Sequence, residues 1–270
     1  MGRFFYICPM DKSNNPIGLF DSGIGGTSIW KEIHCLLPHE NSIYLADSKN
    51  APYGQRPKQE IIDLSIKNTE YLLDHGAKII VVACNTATTN AITELREKYK
   101  DVNFIGIEPA IKPAAIHTQT GAIGILATKG TLSSELFTKT VSGFKNIHVV
   151  EQVGYNLVAL IEDGRINSPE IKELLKEYLK PMIEARIDHL VLGCSHYPYL
   201  IPQIQEILPK DVKIIDSGEA VARQTKKVLQ SAGLLNPSLD KSHQVFYTNS
   251  DPQVLNSILK NRYTVEQQDF

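Results

Sequence analysis

Two stretches of this chain share one pattern at a separation of 110 residues: an apolar run, a cysteine, then small polar residues. Val81-Val82-Ala83-Cys84-Asn85-Thr86 is matched by Val191-Leu192-Gly193-Cys194-Ser195-His196. The correspondence extends beyond the cysteines. Residues 102–110 match 212–220 at the same shift of 110, and Ile17-Gly18-Leu19-Phe20 matches Ile123-Gly124-Ile125-Leu126 at a shift of 106. Three segments repeated in the same order predict two structurally related halves. A chain of 270 residues accommodates them at roughly 150 residues per domain.

Around these landmarks, short apolar runs alternate with helical patterns. Strands are expected at 17–20, 42–46, 78–83, 104–107 and 123–127, and helices at about 27–37, 60–75 and 86–99. Such alternation of β-rich runs with amphipathic helices predicts α/β layers with mostly parallel strands. The expected fold is therefore α/β, with two pseudo-symmetric doubly wound domains and an active-site cleft between them. In open α/β sheets ligands bind beyond the carboxyl ends of the strands. Both repeated cysteines fall there, each expected to precede a helix, so facing domains would present two thiols to one cleft.

Composition narrows the partners. Lys plus Arg is 28 and Asp plus Glu is 30, a net charge of −2, which gives no global attraction for nucleic acid or an anionic membrane. No apolar run approaches the ~20 residues of a membrane span. The opening MGRFFYICPMDK lacks a long apolar core and a small-residue cleavage site, so a cytoplasmic location is expected. The cysteines are Cys8, Cys35, Cys84 and Cys194, without any C-x-x-C pair, which argues against a zinc knuckle or dithiol motif. Cys8 and Cys35 have no matched partner and are assigned no chemistry. The histidines other than His196 show no metal-ligand spacing, and no metal site is expected.

A cysteine at a strand end is often just a small buried apolar residue. Two at matched positions invite chemistry, because a helix N-terminus stabilises thiolate and its free N–H groups bind carboxylates. A thiol on each side of a carbon suits two-base proton exchange: one thiolate removes a proton and the opposite thiol returns one to the other face, inverting the centre. Nothing in the sequence demands an electron-sink cofactor. Asn85 and Thr86 can both cap the following helix and bind a carboxylate or ammonium. His196 is either a satisfied polar residue or a group that tunes Cys194. Asp21 and Ser22 read equally as a turn with a helix cap or as functional groups. Gly23, Gly25 and Gly26 suggest a dinucleotide loop, with Asp47 near the place of a ribose-binding acid. However, Ser28 occupies the third glycine position of G-x-G-x-x-G and the motif fails. Pro52-Tyr53-Gly54 is a turn signal.

Taken together, GLFDSGIGGTS (18–28), YLADSKNAPYGQRP (44–57), VVACNTAT (81–88), GIEPAIKPA (106–114) and VLGCSHYPYL (191–200) resemble the aspartate/glutamate racemase superfamily, in the family's order and over most of the chain. The resemblance implies racemisation of glutamate by Cys84 and Cys194 without pyridoxal phosphate, metal or nucleotide, supplying D-glutamate to peptidoglycan. It implies that Cys84 works on D-glutamate and Cys194 on L-glutamate, with Asp21 and His196 assisting. Substrate contacts are implied at Asp21, Ser22, Tyr53, Gly54, Asn85, Thr86, Ser195 and His196, with Thr128 and Glu162 as further neighbours. Ser195 departs from the family's usual Thr, keeping the hydroxyl and losing a methyl. The resemblance also implies a division into residues 1–104 with 217–270 and residues 105–216, and a homodimer in an arrangement that differs among members. The expected partner is a small-molecule substrate, with neither nucleic acid nor membrane. Aspartate or another acidic amino acid is the alternative substrate. A two-lobed amino-acid or nucleotide binder would bind without turnover, and a thiol redox protein would form a Cys84–Cys194 disulfide.

Overall fold

A computed structural model describes residues 12–270; Cys8 and nearly all of the opening segment weighed above as a leader lie outside the described residues. The strands are β1 (Ile17–Asp21), β2 (Ser42–Ala46), β3 (Ile79–Val82), β4 (Phe104–Gly106), β5 (Ala122–Ala127), β6 (His148–Val153), β7 (His189–Gly193), β8 (Lys213–Ile215), β9 (Gln244–Thr248) and β10 (Val265–Gln267). They form two sheets, one in the order β10-β9-β2-β1-β3-β4 and the other in the order β6-β5-β7-β8, with every pairing parallel. The central strands β1, β3, β5 and β7 are buried at every residue. That is why they read as continuous apolar runs instead of alternating ones. Each Ile, Leu or Val so buried contributes about 1.5–3 kcal/mol.

The helices are α1 (Thr27–Leu36), α2 (Lys58–Asp74), α3 (Asn85–Lys98), α4 (Ile111–His117), α5 (Lys129–Leu132), α6 (Glu135–Ser142), α7 (Leu157–Glu162), α8 (Pro169–Glu184), α9 (Ile201–Ile207), α10 (Gly218–Ser231) and α11 (Pro252–Ile258). α10 returns the chain to the first sheet by packing on α1, after which β9 adds beside β2. Among the described residues no helix is long and apolar enough to cross a membrane.

The repeat in the sequence is a repeat in the fold. The order β2-β1-β3-β4 of the first sheet recurs as β6-β5-β7-β8 in the second. The register recurs too: Ile80 pairs with Phe104 across β3 and β4, and Leu190 with Ile214 across β7 and β8, a step of 24 in both. A helix follows each cysteine, as expected, but not in the same way. Cys84 caps α3 directly, but Cys194 is followed by a 3-10 turn, Tyr197–Leu200, before α9 begins. Pro198 and Pro202 sit in the first turns of the 3-10 segment and of α9, where the missing N–H costs no helical hydrogen bond.

In each sheet the chain moves outward in opposite directions from the central pair, β1 and β3 in one and β5 and β7 in the other. This topological switch point is where a crevice opens at the carboxyl ends. Asp21 and Cys84 stand at the ends of the first pair, Thr128 and Cys194 at the ends of the second.

Candidate active site

A small hollow lies between the two sets of strand ends. Its wall contains Ser22, Tyr53, Gly54, Cys84, Asn85 and Thr86 from the first sheet's side and Thr128, Cys194, Ser195 and His196 from the second. Pro52 and Val158, which carry no polar side chain and were not nominated from sequence, complete it. Cys84 and Cys194 both line this hollow, and both are free thiols. Among the described residues, no three His, Cys, Asp or Glu side chains are arranged to hold a metal ion.

Cys84 is the N-cap of α3, and its Sγ accepts from Ala87 N at 3.5 Å and donates to Ser22 Oγ at 3.6 Å. A helix N-terminus by itself would lower the thiol pKa. Here burial, with the charge of Asp21 second, pushes it well above its ordinary value, and the Ala87 N–H and Ser22 only partly offset that. Desolvation wins because Cys84 is almost wholly shielded from water, whereas the helix end contributes less than a unit charge.

Cys194 Sγ lies 3.8 Å from His196 Nδ1, and His196 Nε2 lies 2.5 Å from Glu162 Oε1. Burial would lower the imidazole pKa. The hydrogen bonds with Cys194 and Glu162 and the charge of Asp21 outweigh it and raise the pKa well above the ordinary value. The ring is thus held between the Cys194 sulfur and the Glu162 carboxylate, in surroundings that favour its protonated form.

Asp21 and Glu162 do not line the hollow; they stand behind its wall. Asp21 is fully buried, accepts from Gly26 N at 2.9 Å and Ser195 Oγ at 3.1 Å, and lies 4.0 Å from His196. Burial raises its pKa, while His196 and the Gly26 N–H pull the other way. Glu162, at the end of α7, reaches the opposite sheet: Oε1 accepts from Ile24 N at 2.7 Å and Oε2 from Ser48 Oγ at 2.8 Å. On the other flank Thr86 Oγ1 meets Thr128 Oγ1 at 2.8 Å, Thr128 meets Thr131 at 3.0 Å, and Asn90 Nδ2 donates to Gly130 O at 3.0 Å. The cleft is thus tied shut on both sides.

The glycine run finds its explanation here. A Cβ on Gly23 would stand 2.0 Å from Glu162 Oε1, and one on Gly25 would stand 2.2 Å from His196 Nδ1. These glycines make room for side chains arriving from the second sheet, where a dinucleotide loop would use them for phosphate. Asp47, considered above as a ribose-binding acid, accepts instead from Tyr53, Asn50 and Asn249 side chains.

Asn85 is the most telling member of the wall. Its side chain is buried, yet neither Nδ2 nor Oδ1 has a hydrogen-bond partner among the described residues. An unpaired buried polar group costs about 1–3 kcal/mol, so such an amide is tolerated where a ligand satisfies it. Sequence reasoning missed Thr131 and the Asn68 and Asn249 contacts. Only Thr131 had a local signal, standing three residues after the helix-capping Thr128.

Comparison with known proteins adds the family. The model of the Asp/Glu/Hydantoin racemase family matches residues 29–225. A glutamate racemase of Herpetosiphon aurantiacus is 43% identical over 240 residues, covering 88% of this chain and 94% of that protein. Glutamate racemase isoform RacE1 from Bacillus anthracis superposes with a TM-score of 0.85 at 30% identity, over 95% of this chain and 98% of that one. The Francisella tularensis glutamate racemase, solved in complex with D-glutamate, gives 0.83 at 29% identity, over 95% and 98% of the two chains.

Proposed function

The chain belongs to the Asp/Glu/Hydantoin racemase family, and from that premise we propose that it interconverts L- and D-glutamate through Cys84 and Cys194. The single observation that carries this reading is the pair of free thiols, one from each sheet, lining the same small hollow. Relatives named glutamate racemase at 43% identity favour glutamate over aspartate.

In the proposed reaction one sulfur, as thiolate, takes the Cα proton while the other, as thiol, protonates the opposite face. Each turnover leaves the proton on the sulfur that began without it, and the reverse reaction restores the first state. Cys84 serves D-glutamate and Cys194 serves L-glutamate. Because burial holds Cys84 as a thiol, ionising it requires positive charge nearby, and the substrate ammonium supplies that charge. The His196 ring stands beside Cys194, placed to hold or pass a proton, with Glu162 fixing its orientation. Ser22, Asn85, Thr86 and Ser195, with the main chain at Tyr53 and Gly54, hold the ammonium and the two carboxylates, and Thr128 orients Thr86. The Asn85 amide is the group most in need of such a partner. Residues 1–104 with 217–270 form one domain and 105–216 the other; the sheets support this division in outline but move its first boundary past Gly106, because β4 pairs with β3 through Ile105 and Gly106. A cytoplasmic location, a homodimer and use of the product in peptidoglycan belong to the same proposal and rest on the family resemblance.

The test is proton exchange. Purified protein is incubated with L- and D-glutamate in D₂O without added cofactor, and loss of the Cα proton and inversion are followed. Wild type should do both, and Cys84→Ser and Cys194→Ser should each lose about 10²–10⁴-fold in racemisation. Wild type without exchange, or either variant with full activity, refutes the reading. Exchange on aspartate alone transfers the reaction to the shorter acid.

A further inference from the structure

One buried polar network takes no part in the chemistry above. Asp47 follows β2 and is buried. Its Oδ1 accepts from Asn249 Nδ2 at 2.5 Å and Asn50 Nδ2 at 2.8 Å, and its Oδ2 accepts from the Tyr53 hydroxyl. Asn68 Nδ2 donates to that same hydroxyl at 3.1 Å. Asn249 comes from just beyond β9, some two hundred residues away in sequence, and is buried too. It grips the loop twice, since its Oδ1 also accepts from Lys49 N at 2.9 Å. The loop from 47 to 54 leads into the wall of the hollow. Tyr53 commits its hydroxyl proton to Asp47 and has none to offer a ligand, while Gly54 can offer only main chain. The placement of this turn is therefore decided by what holds Asp47 and Tyr53.

We propose that Asn249 is a positioning residue for the substrate: through Asp47 and Tyr53 it fixes the 52–54 turn against the hollow. As a statement about glutamate this rests on the reading given above. A charged acceptor with several donors is a strong, cooperative hub, and a binding wall displaced by half an ångström loses much of its complementarity. Asn249 touches neither sulfur nor the hollow, so its effect falls on binding more than on proton transfer.

Asn249→Ala should raise KM for both enantiomers about tenfold, the worth of one charge-assisted hydrogen bond, with kcat changed less than about threefold. Asn249→Asp sets two carboxylates against each other and should raise KM further. Combining it with Asp47→Asn moves the charge to the other side of the same hydrogen bond and should return KM to within about threefold of wild type. Amide hydrogen exchange of residues 47–57 should follow the same order, fastest in Asn249→Asp and slowed again in the pair. An unchanged KM in Asn249→Ala, a loss confined to kcat, or no recovery in the paired variant overturns the proposal. Should wild type leave glutamate untouched, the assignment of substrate falls, and hydrogen exchange alone decides the positioning role. Faster exchange in Asn249→Ala that the pair reverses sustains it; equal exchange ends it.

Discussion

Gly23→Ala separates the two uses a glycine can have, room and backbone freedom. The added Cβ would lie 2.0 Å from Glu162 Oε1 and 2.5 Å from its Cδ. Normal contact requires about 3.5 Å, so the carboxylate must retreat by about 1.5 Å. It sits at the end of a flexible side chain, so the retreat is sterically cheap, but it breaks the bonds to Ile24 N, Ser48 Oγ and His196 Nε2. Hydrogen bonds to charged groups are worth about 1.5–3 kcal/mol each. The Glu162 side chain is 12% exposed and regains some hydration when it moves, so the net stability loss should be about 1–2 kcal/mol. At about 2–4 °C per kcal/mol for a chain of this size, the fall in Tm is modest. The effect on turnover should be larger: His196 loses the acceptor that orients it, and kcat/KM for glutamate should drop about 10²-fold or more. Gly121→Ala is the control. Gly121 has φ +73° and nothing within 4 Å of its Cβ position, so alanine there costs about 1 kcal/mol of backbone strain without touching the site. Racemisation rates by polarimetry and melting by circular dichroism on the two variants give the comparison. A Tm fall in Gly23→Ala equal to or a few degrees beyond that of Gly121→Ala, with activity lost only in Gly23→Ala, is expected. Full activity in folded Gly23→Ala would refute the claim that the glycine exists to admit Glu162.

Three further outcomes are expected. Asp21 pushes the Cys84 thiol pKa upward, so Asp21→Asn should alkylate several-fold faster with iodoacetamide at Cys84 at fixed pH, read by peptide mass spectrometry; an equal or slower rate contradicts the electrostatic assignment. The His196 pKa is raised on folding, so its stabilising contribution is complete below its ordinary value of about 6.5 and drains away as pH rises through the folded value. The Tm advantage of wild type over His196→Gln should accordingly shrink from pH 6 to pH 10, and a constant gap is the contrary result. Lys78 and Glu40 form an ion pair with side chains 0% and 4% exposed. Lys78→Met would leave the Glu40 carboxylate with Asn236 N–H but no paired charge, at a cost of about 3–5 kcal/mol. Thermal melting should show the fall, and a Tm within about 3 °C of wild type would mean that the pair is replaceable.

How far the sequence could be read depended on whether a feature was local. The strand at 42–46 is found at those residues, and the helix expected at 60–75 spans 58–74, because apolar runs and helical spacing record which way neighbouring side chains point. The repeat across Cys84 and Cys194 anticipated two related halves, and the two sheets do share a strand order. It did not anticipate the 3-10 turn after Cys194. Of the nominated residues, those adjoining the two cysteines come to one hollow, together with Tyr53, Gly54 and Thr128.

Other features depended on contacts between distant segments. The need for glycine at 23 and 25 comes from Glu162 and His196, more than 130 residues away, and the grip on Asp47, which in turn holds Tyr53, comes from Asn249. The thiol of Cys84 reverses its expected shift because burial removes water from a helix end that would otherwise stabilise thiolate. Residue order alone determined the repeated apolar strands, the duplication of the two halves and the chemical types gathered at the strand ends. Docking of the two sheets decided which of those groups share a hollow, which stand behind its wall and how strongly each holds its proton, because desolvation and hydrogen bonding depend on distances that no local pattern encodes.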